Sequence, residues 1–64
     1  MDTTIIVVDT KTHKTETKEG SYYMPEMAQK DALEFAKLRF PDKKNYHYRV
    51  WMLGDKRYAF ILAQ

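Results

Sequence analysis

The order of apolar and polar residues predicts two strands at the start of the chain. Residues 3–8 are β-branched throughout and are closed by Asp9. This run is too short for a helix, so we expect a strand that is buried on at least one face. Over His13–Glu19, threonine alternates with charged residues, a pattern typical of a solvent-exposed edge strand. Gly20 breaks this second strand.

A helix is predicted from about Pro25 to Phe40. Proline suits the first helical turn, where its missing N–H is not needed. Pro41 stops the helix, because the residue before a proline is pushed out of the α region. At about 100° per residue one arc of this helix is apolar, and we expect that arc to pack on the sheet. The arc holds Met24, Ala28, Ala32, Phe35 and Ala36, with Leu33 and Phe40 on its flank.

Two further strands, Tyr46–Leu53 and Arg57–Ala63, form the clearest hairpin signal in the chain. A two-residue loop would pair Leu53 with Lys56, whereas a three-residue loop would pair Leu53 with Arg57. A one-residue difference in register exchanges the faces of a strand. The three-residue loop separates the residues more cleanly and is therefore favoured. It gathers Tyr48, Val50, Met52, Tyr58, Phe60 and Leu62 on one face and His47, Arg49, Trp51, Arg57, Ala59 and Ile61 on the other.

Together these elements predict an α+β fold of order ββαββ, with a single helix packed on one face of a small antiparallel sheet. The opposite face of the sheet is left open to solvent or to a partner. With 64 residues the chain forms one small domain, residues 1–64, which excludes a two-domain enzyme. No stretch approaches the ~18 apolar residues of a membrane span, so we expect no membrane association and a cytoplasmic protein.

Catalysis has little support in the sequence. Cysteine is absent, which excludes a thiolate nucleophile and a cysteine-ligated metal. Ser21 is the only serine, and His13 and His47 lie on different predicted elements. Asp31 and Glu34 are helix neighbours, but such pairs are typical of a solvated face. No glycine-rich phosphate loop occurs, so we expect a non-catalytic protein without a metal or cofactor.

The charge distribution points to the last third of the chain. Residues 1–20 and 21–42 each carry a net charge of −1, whereas residues 43–64 carry +4. His47, Arg49 and Trp51 alternate on one predicted strand, and tryptophan and arginine often dominate binding energies at interfaces. The predicted partner-binding residues are therefore Arg49, Trp51, Arg57, His47, Lys43 and Lys44.

Two uses of this face compete if Trp51 is exposed. A face of arginine and tryptophan can dock on the acidic surface of a protein. It can also stack an unpaired base while the cations hold phosphates, as in single-stranded nucleic-acid binding. Protein binding is favoured, because the charge is modest and the aromatic signature of RNA-recognition sheets is absent. A homodimer that buries this face or an exposed strand edge is compatible with either use, whereas a Trp51 in the core would remove the support for both.

Three features of the sequence together resemble a known group of proteins. They are Ala32–Ala36 in a helix that follows a charged hairpin, then Pro41, and then the basic strand Tyr46–Val50. These are the small early proteins with which bacteriophages take over host enzymes, most nearly the T7-type inhibitors of bacterial RNA polymerase. The resemblance covers about residues 3–50, and the strand Arg57–Ala63 departs from that family's three-stranded pattern. It implies inhibition of a large host enzyme in the host cytoplasm through arginines on an acidic surface. Arg49 is the residue here to which that role could transfer.

Overall fold

Four strands and one helix follow one another in the predicted order along the chain. The computed structural model describes residues 1–64 and confirms an α+β fold in which one helix packs on a four-stranded sheet. None of its helical segments is both long enough and apolar enough to cross a bilayer. The elements are β1 (Asp2–Asp9), β2 (Thr15–Ser21), α1 (Pro25–Arg39), β3 (Tyr46–Leu53) and β4 (Lys56–Ala63).

The sheet is mixed, so the prediction of an antiparallel sheet is wrong at its centre. The strand order is β2-β1-β4-β3, with β1 parallel to β4. Each outer strand is antiparallel to the inner strand of its own hairpin. The two inner strands hold most of the buried side chains of the chain, and the helix covers one face of both. Helix α1 is the crossover that joins the two hairpins.

Helix α1 approaches the sheet through alanines. Ala28, Ala32 and Ala36 are fully buried, and Phe40 at the end of the helix is also buried. These small side chains let the helix lie close to the inner strands. They pack over a core of Ile5, Val7, Ala59, Ile61 and Ala63.

The predicted helix arc is confirmed at its alanines and at Phe40, in part at Leu33 and Phe35, and not at Met24. Met24 is exposed, and Phe35 is only partly buried at the margin of the core. The Phe35 ring lies toward β2, with the Lys18 ammonium and the Arg39 guanidinium each 5.8 Å from its centroid. Truncating Phe35 should therefore cost less than the roughly 3–5 kcal/mol of a fully buried phenylalanine.

The β3–β4 hairpin has the two-residue loop, so the favoured three-residue loop is wrong. Leu53 pairs with Lys56, and Trp51 pairs with Tyr58. Gly54 has φ +63° at the first loop position, where a type II′ turn places glycine. The side chains of β3 lie on the faces that were predicted for them. Every side chain of β4 lies on the face opposite to the one predicted for it. Arg57, Ala59, Ile61 and Ala63 face the helix, while Tyr58, Phe60 and Leu62 face away from it.

Candidate functional site

The sheet surface that α1 leaves uncovered is the main candidate site, and we call it the open face. Register places alternate residues of the two inner strands and of β3 on it. Its centre is aliphatic and aromatic, and its β3 side carries an imidazole, a guanidinium and an indole. None of these residues is fully buried. The open face consists of Ile6, Val8, His47, Arg49, Trp51, Leu53, Tyr58, Phe60 and Leu62.

Trp51 is the most exposed aromatic residue of the open face, at 67% of its surface. It lies directly across from Tyr58, and Arg49 lies across from Phe60. Side chains paired in this way stand about 5 Å apart at their Cβ atoms, so aromatic rings and a cation form one continuous strip. The prediction that Trp51, Arg49 and His47 share an exposed face is confirmed.

A polar group of Thr4, Glu19 and Lys56 borders one end of the open face, and its members bond to one another. The Thr4 hydroxyl lies 2.8 and 2.9 Å from the two carboxylate oxygens of Glu19 and donates to that carboxylate. The Lys56 ammonium lies 3.6 Å from the same carboxylate. Because Lys56 already has an acidic partner, it adds little free positive charge to the surface.

Arg57 does not belong to the exposed site, and its prediction as a solvent-facing residue is wrong. The two-residue loop turns it toward the helix side of the sheet, where it retains 7% of its exposure and its Nη1 has no hydrogen-bond partner. Burial raises the pKa of the Tyr48 phenol, and the positive charge of Arg57 acts against that rise. A partner on the open face would not reach this guanidinium.

Lys43 is also unavailable, because it is tied into the fold. Its ammonium lies 2.8 Å from Oδ1 of Asp9, and both side chains are almost buried. The hydrogen bond from Lys43 lowers the pKa of Asp9 to about 2, and the backbone N–H groups of Lys11 and Thr12 add to this effect. Lys44 is exposed before β3. Of the five cations in the last third of the chain, Arg49 and Lys44 thus remain exposed and without an acidic partner.

The far end of β3 is apolar on both of its faces, a feature that the sequence interpretation missed. Val50 and Met52 lie on the helix side, yet α1 does not cover them. Four successive side chains are therefore open to solvent, at 50%, 67%, 47% and 65% exposure for Val50, Trp51, Met52 and Leu53. The signal was present in the sequence as an unbroken run of four apolar residues, which half-buried strands normally do not have.

A second polar cluster lies where α1 meets β2. The Tyr22 hydroxyl donates to Asp31, and the Lys18 ammonium lies 3.0 Å from the same carboxylate. Burial and this hydrogen bond raise the pKa of Tyr22 to about 12, while the bond from Tyr22 lowers the pKa of Asp31. Each group has its partner within the cluster, so the cluster fastens β2 to the helix.

No family model, curated protein or solved structure matches this chain. No group of three or more histidine, aspartate or glutamate side chains is placed to hold a metal ion. These findings do not bear on the resemblance to small phage proteins. Evidence for function therefore comes from the side chains of the open face and of β3.

Proposed function

We propose that this chain is a non-catalytic protein-binding module whose contact surface is the open face. The observation that carries the proposal is the exposure of Trp51 beside Arg49 on a sheet face that no element covers. Folded proteins seldom leave a large apolar patch uncovered unless it meets another molecule. The resemblance of the sequence extends the proposal to a phage-type modulator of a host enzyme such as RNA polymerase.

The composition of the open face suits a protein interface. Ile6, Val8 and Leu62 provide an aliphatic centre, with Phe60 and Trp51 toward the β3 side. Interface cores are rich in aromatic residues and arginine and poor in other charged groups. Such residues carry most of the binding energy when they are desolvated in the centre of a contact.

The positions of the cations define the kind of partner surface. Arg49 stands on the open face, whereas Lys43 is bound to Asp9 and Arg57 is buried. The module is therefore proposed to dock mainly by apolar contact, with an acidic group of the partner opposite Arg49. This is a narrower requirement than the broadly acidic surface that the net charge of the last third implies.

Single-stranded nucleic acid is the second candidate, and the aromatic strip supports it. Trp51 and Tyr58 face each other on adjacent strands, as base-stacking residues do on an open sheet. Against this stands the small number of free cations, because backbone phosphates supply most nucleic-acid affinity. The aliphatic half of the open face has no role in base stacking.

The experiment is a pull-down from host lysate with the tagged chain, with and without nuclease. Trp51→Ala should lose the captured protein, with an affinity loss of about 2 kcal/mol or more. Leu38→Ala is the matched control, because Leu38 is 74% exposed on the helix and lies off the open face. Capture that survives both substitutions would contradict the proposal.

Nuclease and tryptophan fluorescence separate the two candidates. A nuclease-resistant protein partner supports protein binding. Loss of all partners with nuclease, together with quenching of Trp51 emission by oligothymidylate, would instead favour nucleic-acid binding. In that case Trp51→Phe should keep most of the affinity, since stacking needs only an aromatic ring.

A further inference from the structure

The free edge of β3 has the properties of a strand-pairing site. β3 is one of the two edge strands of the sheet, eight residues long and without proline or glycine. Its only formal charge is Arg49, and its last four side chains are apolar and exposed. Edge strands of monomeric proteins are normally blunted by charges, prolines, bulges or a covering element. β3 has a single charge and none of the other devices.

The backbone groups at this edge can be assigned from the hairpin register. Asn45 and Gln64, at the open end of the hairpin, exchange both backbone hydrogen bonds, at 3.0 and 2.9 Å. Bonded and non-bonded pairs alternate along an antiparallel ladder. The odd-numbered residues of β3 therefore bond to β4, and the even-numbered residues turn their N–H and C=O groups outward. Those residues are Tyr46, Tyr48, Val50 and Met52.

One internal contact reaches this edge. A guanidinium nitrogen of Arg49 lies 2.9 Å from the backbone carbonyl of Tyr48 and donates to it. The other outward groups of the edge have no partner within the chain. A partner strand would satisfy them and would replace this exposed contact by a backbone bond.

We propose that β3 pairs antiparallel with β3 of a second copy of this chain, forming a dimer with one continuous eight-stranded sheet centred on Val50. A second copy fits because the strand is self-complementary about that residue. Across the two-fold axis Val50 lies opposite Val50, and Tyr48 lies opposite Met52 of the partner subunit. These are the bonded pairs, since all three residues turn their backbone groups outward.

The same register places unlike side chains together on the open face. Arg49 lies opposite Trp51 of the partner subunit, twice by symmetry, in the closely spaced non-bonded pairs of the ladder. A guanidinium over an indole is the most favourable common cation–π pairing in proteins. If the strands were shifted so that the pairing centred on Arg49 and not on Val50, Arg49 would lie opposite Arg49 of the partner subunit. Sliding them the other way would shorten the ladder, because the turn at Gly54 enters it.

The dimer would also enlarge the proposed binding surface, although its own evidence is independent of that proposal. Two open faces would lie side by side on one sheet, with the Arg49 and Trp51 pairs at their junction. Val50 and Met52 lie on the helix side. They can be changed without altering the open face, which keeps tests of the dimer separate from tests of partner binding.

The first test is sedimentation equilibrium of the purified chain from about 1 μM to about 1 mM, the range of weak specific association. The wild type should form dimers. Val50→Lys should weaken dimerisation at least about tenfold, because it sets two ammonium groups against each other across the axis. Thr17→Lys, an exposed position on the β2 edge whose backbone also turns outward, should leave the dimer unchanged.

A third variant distinguishes edge pairing from stacking of open faces. Leu62→Lys lies on the open face away from the edge and should keep the dimer while weakening partner capture. A monomer at every concentration overturns the proposal. So does a dimer that survives Val50→Lys and is lost in Leu62→Lys.

Disulfide crosslinking tests the register without relying on a destabilising change. The chain has no cysteine, so Val50→Cys introduces a single thiol. In the proposed register the two Cα atoms lie about 5.5 Å apart, within the range that a disulfide spans. Oxidation should give a covalent dimer faster for Val50→Cys than for Arg49→Cys or Thr17→Cys. Faster crosslinking of Arg49→Cys or Thr17→Cys would overturn the proposed pairing.

Discussion

The two hairpins of this fold differ in how far contacts within the chain cover their outer strands. On β2 every charged side chain finds a partner: Glu16 with Arg39, Lys18 with Asp31, and Glu19 with Lys56. On β3 the one formal charge, Arg49, contacts only the backbone carbonyl of its neighbour Tyr48. The end of this strand exposes apolar side chains on both faces. The outer strand of the first hairpin is covered by contacts within the chain, and that of the second is exposed to solvent.

This difference does not arise from position in the sheet, because β2 and β3 are both edge strands beside an inner apolar strand. It arises from the helix and from composition. Side chains of α1 reach over to β2 through Asp31 and Arg39, whereas Val50 and Met52 extend past the cover of the helix. Strand edges of monomeric proteins normally have such protection, and β3 has little of it.

The largest expected effect separates the buried and exposed arginines of the second hairpin. Arg57→Glu should destabilise the fold by roughly 3–5 kcal/mol, because it buries a carboxylate with no basic partner. Arg49→Glu should change stability by about 0.5 kcal/mol or less, as exposed substitutions do. Urea denaturation measures both. Equal effects of the two substitutions would contradict the two-residue loop.

Arg57→Met refines the same test. The guanidinium is buried without a hydrogen bond at Nη1, so replacing it with an apolar side chain of similar length should leave stability unchanged or raise it. A large loss of stability in Arg57→Met would mean that the arginine has a partner that the structure does not contain.

Two valines on the helix side of the sheet compare the hairpins directly. Val7 in β1 is fully buried, and Val50 in β3 is half exposed. Val7→Ala should cost about 2–3 kcal/mol through lost burial and a cavity. Val50→Ala should cost about 0.5 kcal/mol or less in the monomer. Thermal unfolding at low concentration measures the difference, and similar losses would show that the helix covers β3 after all.

Acid should weaken the first hairpin through Asp9. Its pKa falls from an ordinary 3.8 to about 2 in the folded chain, so the stability it contributes is present above pH 4. That contribution is lost as the pH falls toward 2, because protonation then removes the bond from Lys43. Melting temperatures from pH 5 to pH 2 should fall less steeply in Lys43→Met than in the wild type. Lys44→Met is the control and should follow the wild type.

The smallest expected effect is on the fluorescence emission of Trp51. Trp51 is the only tryptophan and is 67% exposed, so its emission in the dilute chain should be red-shifted and accessible to acrylamide. Tyr23→Phe, far from the indole along the chain and also exposed, should leave the spectrum unchanged. Blue-shifted emission that acrylamide does not quench would show that Trp51 is buried in a core. The proposal that the open face binds a partner would then lose its main support.

Local patterns predicted the number and kind of the elements, because periodicity and prolines act within a few residues. The prediction for β2 was wrong at both ends, since this strand runs from Thr15 to Ser21 and includes Gly20, which was expected to break it. The bounds of β3 were right, and α1 begins at Pro25 and ends one residue before the predicted limit. The parallel pairing of β1 with β4 could not be predicted in this way. It joins residues more than fifty positions apart, and only the packing of the whole sheet selects it.

The register of the second hairpin was mispredicted for a physical reason. Clean separation of apolar from polar residues selects the three-residue loop only if one face of the hairpin is polar. The open face is itself apolar at Phe60 and Leu62, so this criterion does not apply to the hairpin. The wrong register placed Arg57 on the open face, whereas it is buried on the helix side. Lys43 was misassigned because its partner Asp9 lies 34 residues away and is invisible to local reasoning.

Amide hydrogen exchange of the two sheet edges tests the central claim, that the second hairpin is the contact surface, most directly. The outward amides are those of Tyr48, Val50 and Met52 on β3 and of Thr15, Thr17 and Glu19 on β2. In the dilute chain both sets should exchange rapidly. At concentrations that favour the dimer, the β3 set should become protected while the β2 set continues to exchange rapidly. Rapid exchange of both edges at every concentration, or protection of β2 alone, would contradict the account.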